Sequence, residues 1–469
     1  MKERPLKSSN LWILTEERPK KSVVGAIIEK FAKDNSIACF ISNIRILPVL
    51  DKNRNFSFVY EVKGLDSTVV KKVYLITVSG YSSFVDFLIF YQDNKPTVAD
   101  TPLYAIEETK TDDAESRNTG VFQRASKFVY IDYFYPGIKK IMLYSLKVSQ
   151  KETATDTNVF GTRCLLTLGV EILGKTLDSK MKPFSSVSEL IQSKNSMRRP
   201  PKGNIPILIT QKQGVITVSG RLIKSGSLSH DPNIGSLSLI SASLRQLGWQ
   251  DRIVITEHGL SQSHVKANNK FVKICSRFGL SLDGIAMPST KEDKPYWKYE
   301  EEGEKLGTIF IHLVVENFTT GVSIYENHAG CERGYFLTKT GQPIAVEKYL
   351  DRESYKAGDK AQIIHLPDLV LIDFDRTKII NIEGKTYANM LDGIAELQNY
   401  DAFEESYIQK HYPGFSIRRT VVLYGGYADK IERIEVSFLL NKNGKLVLSV
   451  KAPELFVEAI KNLMAYWGL

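Results

Sequence analysis

Cysteine is scarce in this chain: four stand among 469 residues, Cys39, Cys164, Cys275 and Cys331, and no two form a C-x-x-C pair. That spacing excludes a zinc knuckle and a disulfide-stapled scaffold. Long apolar runs are missing too. No stretch approaches the roughly 20 residues that span a bilayer, and the opening MKERPLKSSNLWILTEERPKK has no apolar signal-peptide core. A soluble, cytoplasmic protein with reduced thiols and no membrane contact is expected. Neither HExxH nor GxSxG occurs, which argues against a zincin protease and an acyl-transfer hydrolase. Acid is absent from one long segment. From Leu190 to His230 there is no Asp or Glu, while Lys194, Arg198, Arg199, Lys202, Lys212, Arg221 and Lys224 all fall there.

What is present suits a globular protein of two or three domains, with 43% hydrophobic residues to bury and a net charge of +9 that fits a polyanionic partner. Apolar residues at helical spacing predict a helix from Ser22 to Lys33, and alternation predicts strands in SIACFISNIRILPVL, FSFVYEVKG and KKVYLITVSG. Further on, VFQRASKFVYIDYFYP reads as a helix. RCLLTLGVEILG, DRIVITEHG and GTIFIHLVVENF read as strands. HDPNIGSLSLISASLRQLGW reads as a helix capped by Asp231, with Pro232 at its first position. One helix is expected through YANMLDGIAELQNYDAFEESYIQKHYP. The class is α/β.

The stretch LPDLVLIDFDRTKIINIEGK, Leu366 to Lys385, has the alternation and turn of a β-hairpin, yet a hairpin does not require Asp368, Glu383 and Lys385 where they stand. Side chains two apart on a strand share a face, so Glu383 and Lys385 point one way and Gly384 the other. With Asp368 opposite, three charges converge. Two carboxylates and the Gly384 backbone carbonyl offer the oxygen donors that Mg²⁺ prefers, and Mn²⁺ can take the same donors. A lysine beside them can orient a water or steady charge developing on phosphorus.

This pattern resembles the PD-(D/E)XK nuclease superfamily, which carries it on such a hairpin; the resemblance covers about residues 345 to 430. It recurs upstream. In FVDFLIFYQDNKPTVADTPLYAIEETK, Asp86 lies on an apolar strand and Glu108, Thr109 and Lys110 close the next, with the Thr109 carbonyl as a metal donor. Asp100 and Glu107 are rival acids, and Glu29 on the first helix could supply a further carboxylate, as a leading-helix acid does in some relatives. Val85 replaces the proline that precedes Asp368. After each motif comes a helix and then a shared sequel, YPGIKKIMLY in one copy and YPGFSIRRTVVLY in the other. Gln123 and Gln398 stand on those helices.

The resemblance implies two PD-(D/E)XK domains, residues 1–180 and 340–469, flanking a central basic recognition domain, residues 190–335. Lys194, Arg198, Arg199, Arg221 and Lys224 are its candidate DNA contacts. His258, His264 and His328 are expected to be structural. The implied activity is Mg²⁺-dependent, sequence-specific cleavage of double-stranded DNA, like that of type II restriction enzymes, by a monomer or homodimer with one strand assigned to each site. A companion methyltransferase would protect the host genome. The alternatives are a structure-selective repair nuclease and a DNA-binding protein with an inactive nuclease scaffold.

Overall fold

The computed structural model describes residues 7–53, 55–80, 84–109, 120–144, 156–177, 179–197, 207–222, 232–291, 294–300, 303–328, 330, 333–348, 363–425, 436–440, 446–447 and 452–469. Chain contacts gather into two compact units, Met1–Ser79 with Tyr299–Leu469, and Gly80–Lys298. The boundaries therefore fall elsewhere than at the three expected segments. The stretch after Tyr299 belongs with the C-terminal hairpin, and the upstream hairpin belongs with the basic segment.

In the first unit, β1 (Ser9–Thr15) and α1 (Lys21–Asp34) precede three strands, β2 (Cys39–Leu50), β3 (Phe56–Ser67) and β4 (Val70–Gly80). The order is β2-β3-β4-β1, antiparallel except for the parallel pair β4 and β1.

In the second unit, β5 (Phe87–Tyr91) and β6 (Tyr104–Thr109) form an antiparallel hairpin. Next come α2 (Gly120–Phe134), β7 (Lys139–Tyr144) parallel to β6, α3 (Asp156–Thr167) and β8 (Glu171–Leu173) parallel to β7. The basic segment repeats this plan. After α4 (Val187–Ser196), β9 (Leu208–Lys212) and β10 (Val215–Ser219) make a hairpin. Then α5 (Pro232–Gln246) leads to β11 (Arg252–Thr256), and α6 (Gln262–Ala267) and α7 (Asn269–Phe278) lead to β12 (Leu280–Leu282), both strands parallel to their neighbours. Helices α2 and α5, which follow the two hairpins, pack on one another. A short strand, β13 (Trp297–Tyr299), ends the segment.

The plan appears a third time in the first unit. Behind α8 (Glu304–Phe318), β14 (Val322–Glu326) and the hairpin β15 (Arg333–Leu337) with β16 (Pro343–Glu347) come β17 (Leu369–Asp373) and β18 (Lys378–Thr386), again antiparallel. Then α9 (Met390–Leu397) leads to β19 (Ser416–Tyr424) and β20 (Val436–Leu440), each parallel to its predecessor. β21 (Leu446–Val447) and α10 (Glu454–Tyr466) complete the unit. All five residues of β17 are buried, as expected of a strand covered on both faces. Helix α8 covers one face, and Phe403, Ile408 and Tyr412 pack with Val370 and Ile372 on the other.

Three expected elements change. GTIFIHLVVENF lies within helix α8, in which every residue from Leu306 to Val315 is buried. A helix hydrophobic all round carries no 3.6-residue stripe and reads like a buried strand. Arg163 to Thr167 likewise ends helix α3, with Phe160, Cys164 and Leu165 on its buried face; only Glu171–Leu173 is strand. The single helix after the C-terminal hairpin breaks at Gln398–Tyr400 and resumes at Asp401, passing into a π-helical turn over Glu404–Gln409. That turn places Glu404 to accept from Asn381 Nδ2 at 2.5 Å and from Arg419 Nε at 2.8 Å.

Both Tyr-Pro-Gly sequels form the same turn. Ile138 N–H reaches the Tyr135 carbonyl and Phe415 N–H the Tyr412 carbonyl, while Gly137 and Gly414 take positive φ of 76° and 86°. Proline then glycine at the central positions is what a type II turn requires. Among the described residues, no helix is long and apolar enough to cross a membrane.

Because α8 has no exposed face through its middle turns, Ile311→Ala should cost about 2–5 kcal/mol. The check is a lowered denaturant midpoint with an unchanged slope.

Candidate active site

The register of β17 and β18 brings the C-terminal acids together. Leu369 pairs with Ile382, so Asp368 falls opposite Glu383, and the Asp368 N–H reaches the Ile382 carbonyl at 3.0 Å. Asp368 Oδ2 accepts the Gly384 N–H at 2.8 Å. Glu383 takes the Tyr400 hydroxyl on one oxygen and Lys385 Nζ at 2.6 Å on the other. Lys385 also meets Glu396 at 3.1 Å and Glu304 at 3.6 Å. All the predicted C-terminal residues, Asp368, Glu383, Gly384 and Lys385, thus meet at one end of the hairpin.

Two glycines permit this closeness. A Cβ on Gly384 would stand 2.6 Å from Thr308 Cγ2 and 3.0 Å from the Glu304 carbonyl, and one on Gly393 would stand 2.7 Å from Lys385 Cγ. The first lets α8 lie against the strand. The second lets α9 lie against the lysine.

Burial, and then the neighbouring Asp368 charge, pushes the Glu383 carboxyl well above the usual carboxylate range. Burial raises Asp368 as well, against the Gly384 N–H and Lys385, which favour its charge. Burial alone would lower the Lys385 ammonium, but its contacts with Glu383 and Glu396 outweigh that and hold it above its ordinary value. At neutral pH the acid pair therefore keeps a proton that a bound cation can displace.

The upstream hairpin builds the same arrangement one residue out of step with the expectation. Phe87 pairs with Ile106, so Glu107, not Glu108, falls opposite Asp86. Glu108 supplies its N–H to Asp86 Oδ2 at 2.6 Å, as Gly384 does for Asp368. Thr109 then occupies the place of Lys385. Its hydroxyl accepts from Arg124 at 2.7 Å, and the ammonium comes instead from helix α2: Lys127 Nζ lies 2.7 Å from Glu107 and 3.6 Å from Asp86. Glu107 is 1% exposed. Burial, then the Asp86 charge, pushes its carboxyl up to about 8. Burial and the Lys127 charge bring Lys270 of α7 down to about 8. Lys110, expected at this site, lies outside the described residues, as do Arg198, Arg199 and Lys224.

Among the other candidates, Asp100 is held in its turn by Thr97 N–H at 2.7 Å and Gln92 at 3.2 Å. Glu29 and Gln398 are exposed. His258 is structural, receiving the Leu260 N–H at 3.0 Å, and His264 closes the capping box of α6. Lys194 is 8% exposed, its stem in the core beneath α4, which withdraws it from a phosphate. Arg221 is exposed and keeps its place as a candidate contact. GVEILGKT, Gly169–Thr176, has the spacing of a phosphate-binding loop, but β8 runs through its middle and no helix follows its lysine directly.

Sequence reading missed Glu396, Glu304, Tyr400 and Lys127. Glu396 and Lys127 carried a usable signal, each being a charge one or two helical turns along the helix that follows its hairpin. No protein-family model matches the chain, and no characterised protein shows significant sequence similarity to it.

An acid whose folded pKa is raised holds protons that the unfolded chain releases, so stability falls as pH climbs above the ordinary carboxylate range. Glu383→Gln should remove that loss. It should raise the metal-free melting temperature at pH 8 by about 2–4 °C per kcal/mol relieved, and by little at pH 5. An equal shift at both pH values would refute the raised carboxyl.

Proposed function

We propose that the chain is a Mg²⁺-dependent DNA endonuclease of the PD-(D/E)XK kind, cutting double-stranded DNA in the manner of a type II restriction enzyme. The observation that carries this reading is the pair of matching constellations. Each has two carboxylates opposed across a hairpin, a partly buried aspartate clamped by the next backbone N–H and a buried glutamate with a lysine on it.

The donor set fits a hard cation, since every candidate ligand is oxygen and burial leaves Glu383 and Glu107 seeking positive charge. Asp368, Glu383 and the Gly384 carbonyl would hold it at one site, and Asp86, Glu107 and the Glu108 carbonyl at the other. When bound, Mg²⁺ supplies polarisation of the phosphodiester and a water acidified for attack. The remaining work falls to side chains. Tyr400 fixes the Glu383 rotamer by its hydroxyl. Lys385, steered by Glu396 and Glu304, donates a proton-bearing nitrogen toward the attacking water or the phosphoryl oxygens. Glu304 comes from the helix that leads into the hairpin, where some members of the superfamily carry a further acid. Lys127 and Arg124 take the cationic role upstream.

Specificity would come from the basic segment between the two hairpins, with Arg221 as one phosphate or base contact. A restriction role would imply a companion methyltransferase. The structure-selective repair nuclease and the non-cleaving binder remain distinguishable by product: structure-dependent nicks or a gel shift without cleavage, in place of discrete fragments.

Plasmid DNA should be cut in Mg²⁺ or Mn²⁺ and left intact in EDTA, and Asp368→Asn or Lys385→Met should slow double-strand breakage at least about 100-fold. Cutting that persists in chelator sinks the reading.

A duplex has two strands, and each site can serve one. Glu107→Gln should leave an enzyme that nicks one defined strand, and Glu383→Gln one that nicks the other. Glu108→Gln should still cut both, because Glu107 is the acid opposed to Asp86. Double-strand breaks at the normal rate from Glu107→Gln would mark the upstream copy as a scaffold.

A further inference from the structure

Helix α8 carries a second cluster, on the face of the sheet away from Glu383. His312 Nδ1 lies 3.0 Å from His328 Nε2 and 3.8 Å from Glu326 Oε2. One ligand atom from each of these three residues can be chosen so that all lie within 4.8 Å of one another.

The outer nitrogens of both rings are committed. Thr308 Oγ1 donates its hydrogen to the Lys305 carbonyl at 3.0 Å, so it accepts from His328 Nδ1 at 2.9 Å. His312 Nε2 donates to Glu316 at 3.2 Å, an ionised carboxylate that Arg18 also contacts at 2.9 Å. Each neutral ring therefore turns a lone pair toward the other. Two facing lone pairs 3.0 Å apart repel unless a positive centre lies between them, either a proton or a metal ion.

We propose that His312, Glu326 and His328 bind a divalent transition-metal ion, Zn²⁺ in the first instance, at a site separate from the acid pairs. Bonds of about 2.0–2.1 Å in a tetrahedron separate ligand atoms by about 3.3 Å, and the distances of 3.0 and 3.8 Å straddle that value. Imidazole ligands select this class of metal over Mg²⁺. Glu316 and Thr308 orient the two rings as outer-shell partners commonly do at metal sites. Arg18 holds Glu326 through two N–H bonds of 3.1 and 2.9 Å, with Lys20 3.7 Å from its other oxygen. With Arg18 and Lys20 balancing the two glutamates, the nest is near neutral, and a cation would be held chiefly by the two imidazole nitrogens and the Glu326 carboxylate. His312 is fully buried, whereas Glu326 and His328 are partly exposed and give the ion its entry and an open fourth position.

The site also touches the hairpin. Asn327, between Glu326 and His328, donates its N–H to the Asp368 carbonyl at 2.7 Å, and a Cβ on Gly384 would meet Thr308. A metal here would brace the strand from which Asp368 departs.

The test uses the full chain, stripped with chelator and dialysed, then titrated with Zn²⁺ by calorimetry and with Co²⁺ by visible absorption. One equivalent of Zn²⁺ should bind, Co²⁺ should give tetrahedral d–d bands, and the melting temperature should rise. His328→Gln, which leaves the buried His312 in place, should weaken Zn²⁺ at least tenfold, with circular dichroism confirming the fold. Asp368→Asn with Glu383→Gln should bind Zn²⁺ as the wild type does, whatever becomes of DNA cleavage. No stoichiometric Zn²⁺ in the wild type, or binding unchanged by His328→Gln, would overturn the proposal and leave a shared proton between the rings.

Discussion

Two carboxylates buried side by side repel, and neither wishes to leave water charged. Everything around the C-terminal hairpin answers that conflict. The register of β17 and β18 forces Asp368 and Glu383 together, the Gly384 N–H and the Tyr400 hydroxyl each occupy one of their oxygens, and Lys385 brings positive charge to Glu383. Glu396 and Glu304 then hold the lysine. Remove the opposition of the two acids and none of these contacts has a reason to exist. Strain of this kind in an otherwise apolar sheet is typical of sites where chemistry is done.

The same conflict is solved twice with different parts. At Glu107 the positive charge comes from helix α2 through Lys127, not from the strand. A lysine two residues along a strand shares the acid's face by the geometry of the pleat, and one on the next helix reaches it only if the helix sits at the right depth. The basic segment has the strand order of both copies but opposes Leu208 to Ser219 where they oppose acid to acid. Its helix α5 packs on α2, each being the helix that follows its own hairpin, so two equivalent elements meet much as they would across a symmetric dimer.

Much of this was legible beforehand. The C-terminal hairpin, its four site residues and the Tyr-Pro-Gly turns follow from period-two alternation and the demands of a type II turn, which are local. What was not legible depended on partners far along the chain. Helix α8 hides its period because both of its sides are apolar, and Lys194 looks like a surface cation in an acid-free run yet is buried. The upstream expectation, with Glu108 as the acid and Lys110 two residues on, is one residue out of step. Only the pairing of Phe87 with Ile106 shows which of two adjacent glutamates faces Asp86.

The first compact unit is built from two stretches of chain, Met1–Ser79 and Tyr299–Leu469, with all of Gly80–Lys298 between them. On a ribosome adding about 5–20 residues per second, the opening strands wait on the order of ten to forty seconds for helix α8, on which they pack, while the intervening unit has its whole sequence in hand. Synthesis thus sets a schedule. The Glu107 constellation can assemble during translation, and the Asp368 constellation completes its unit only afterward.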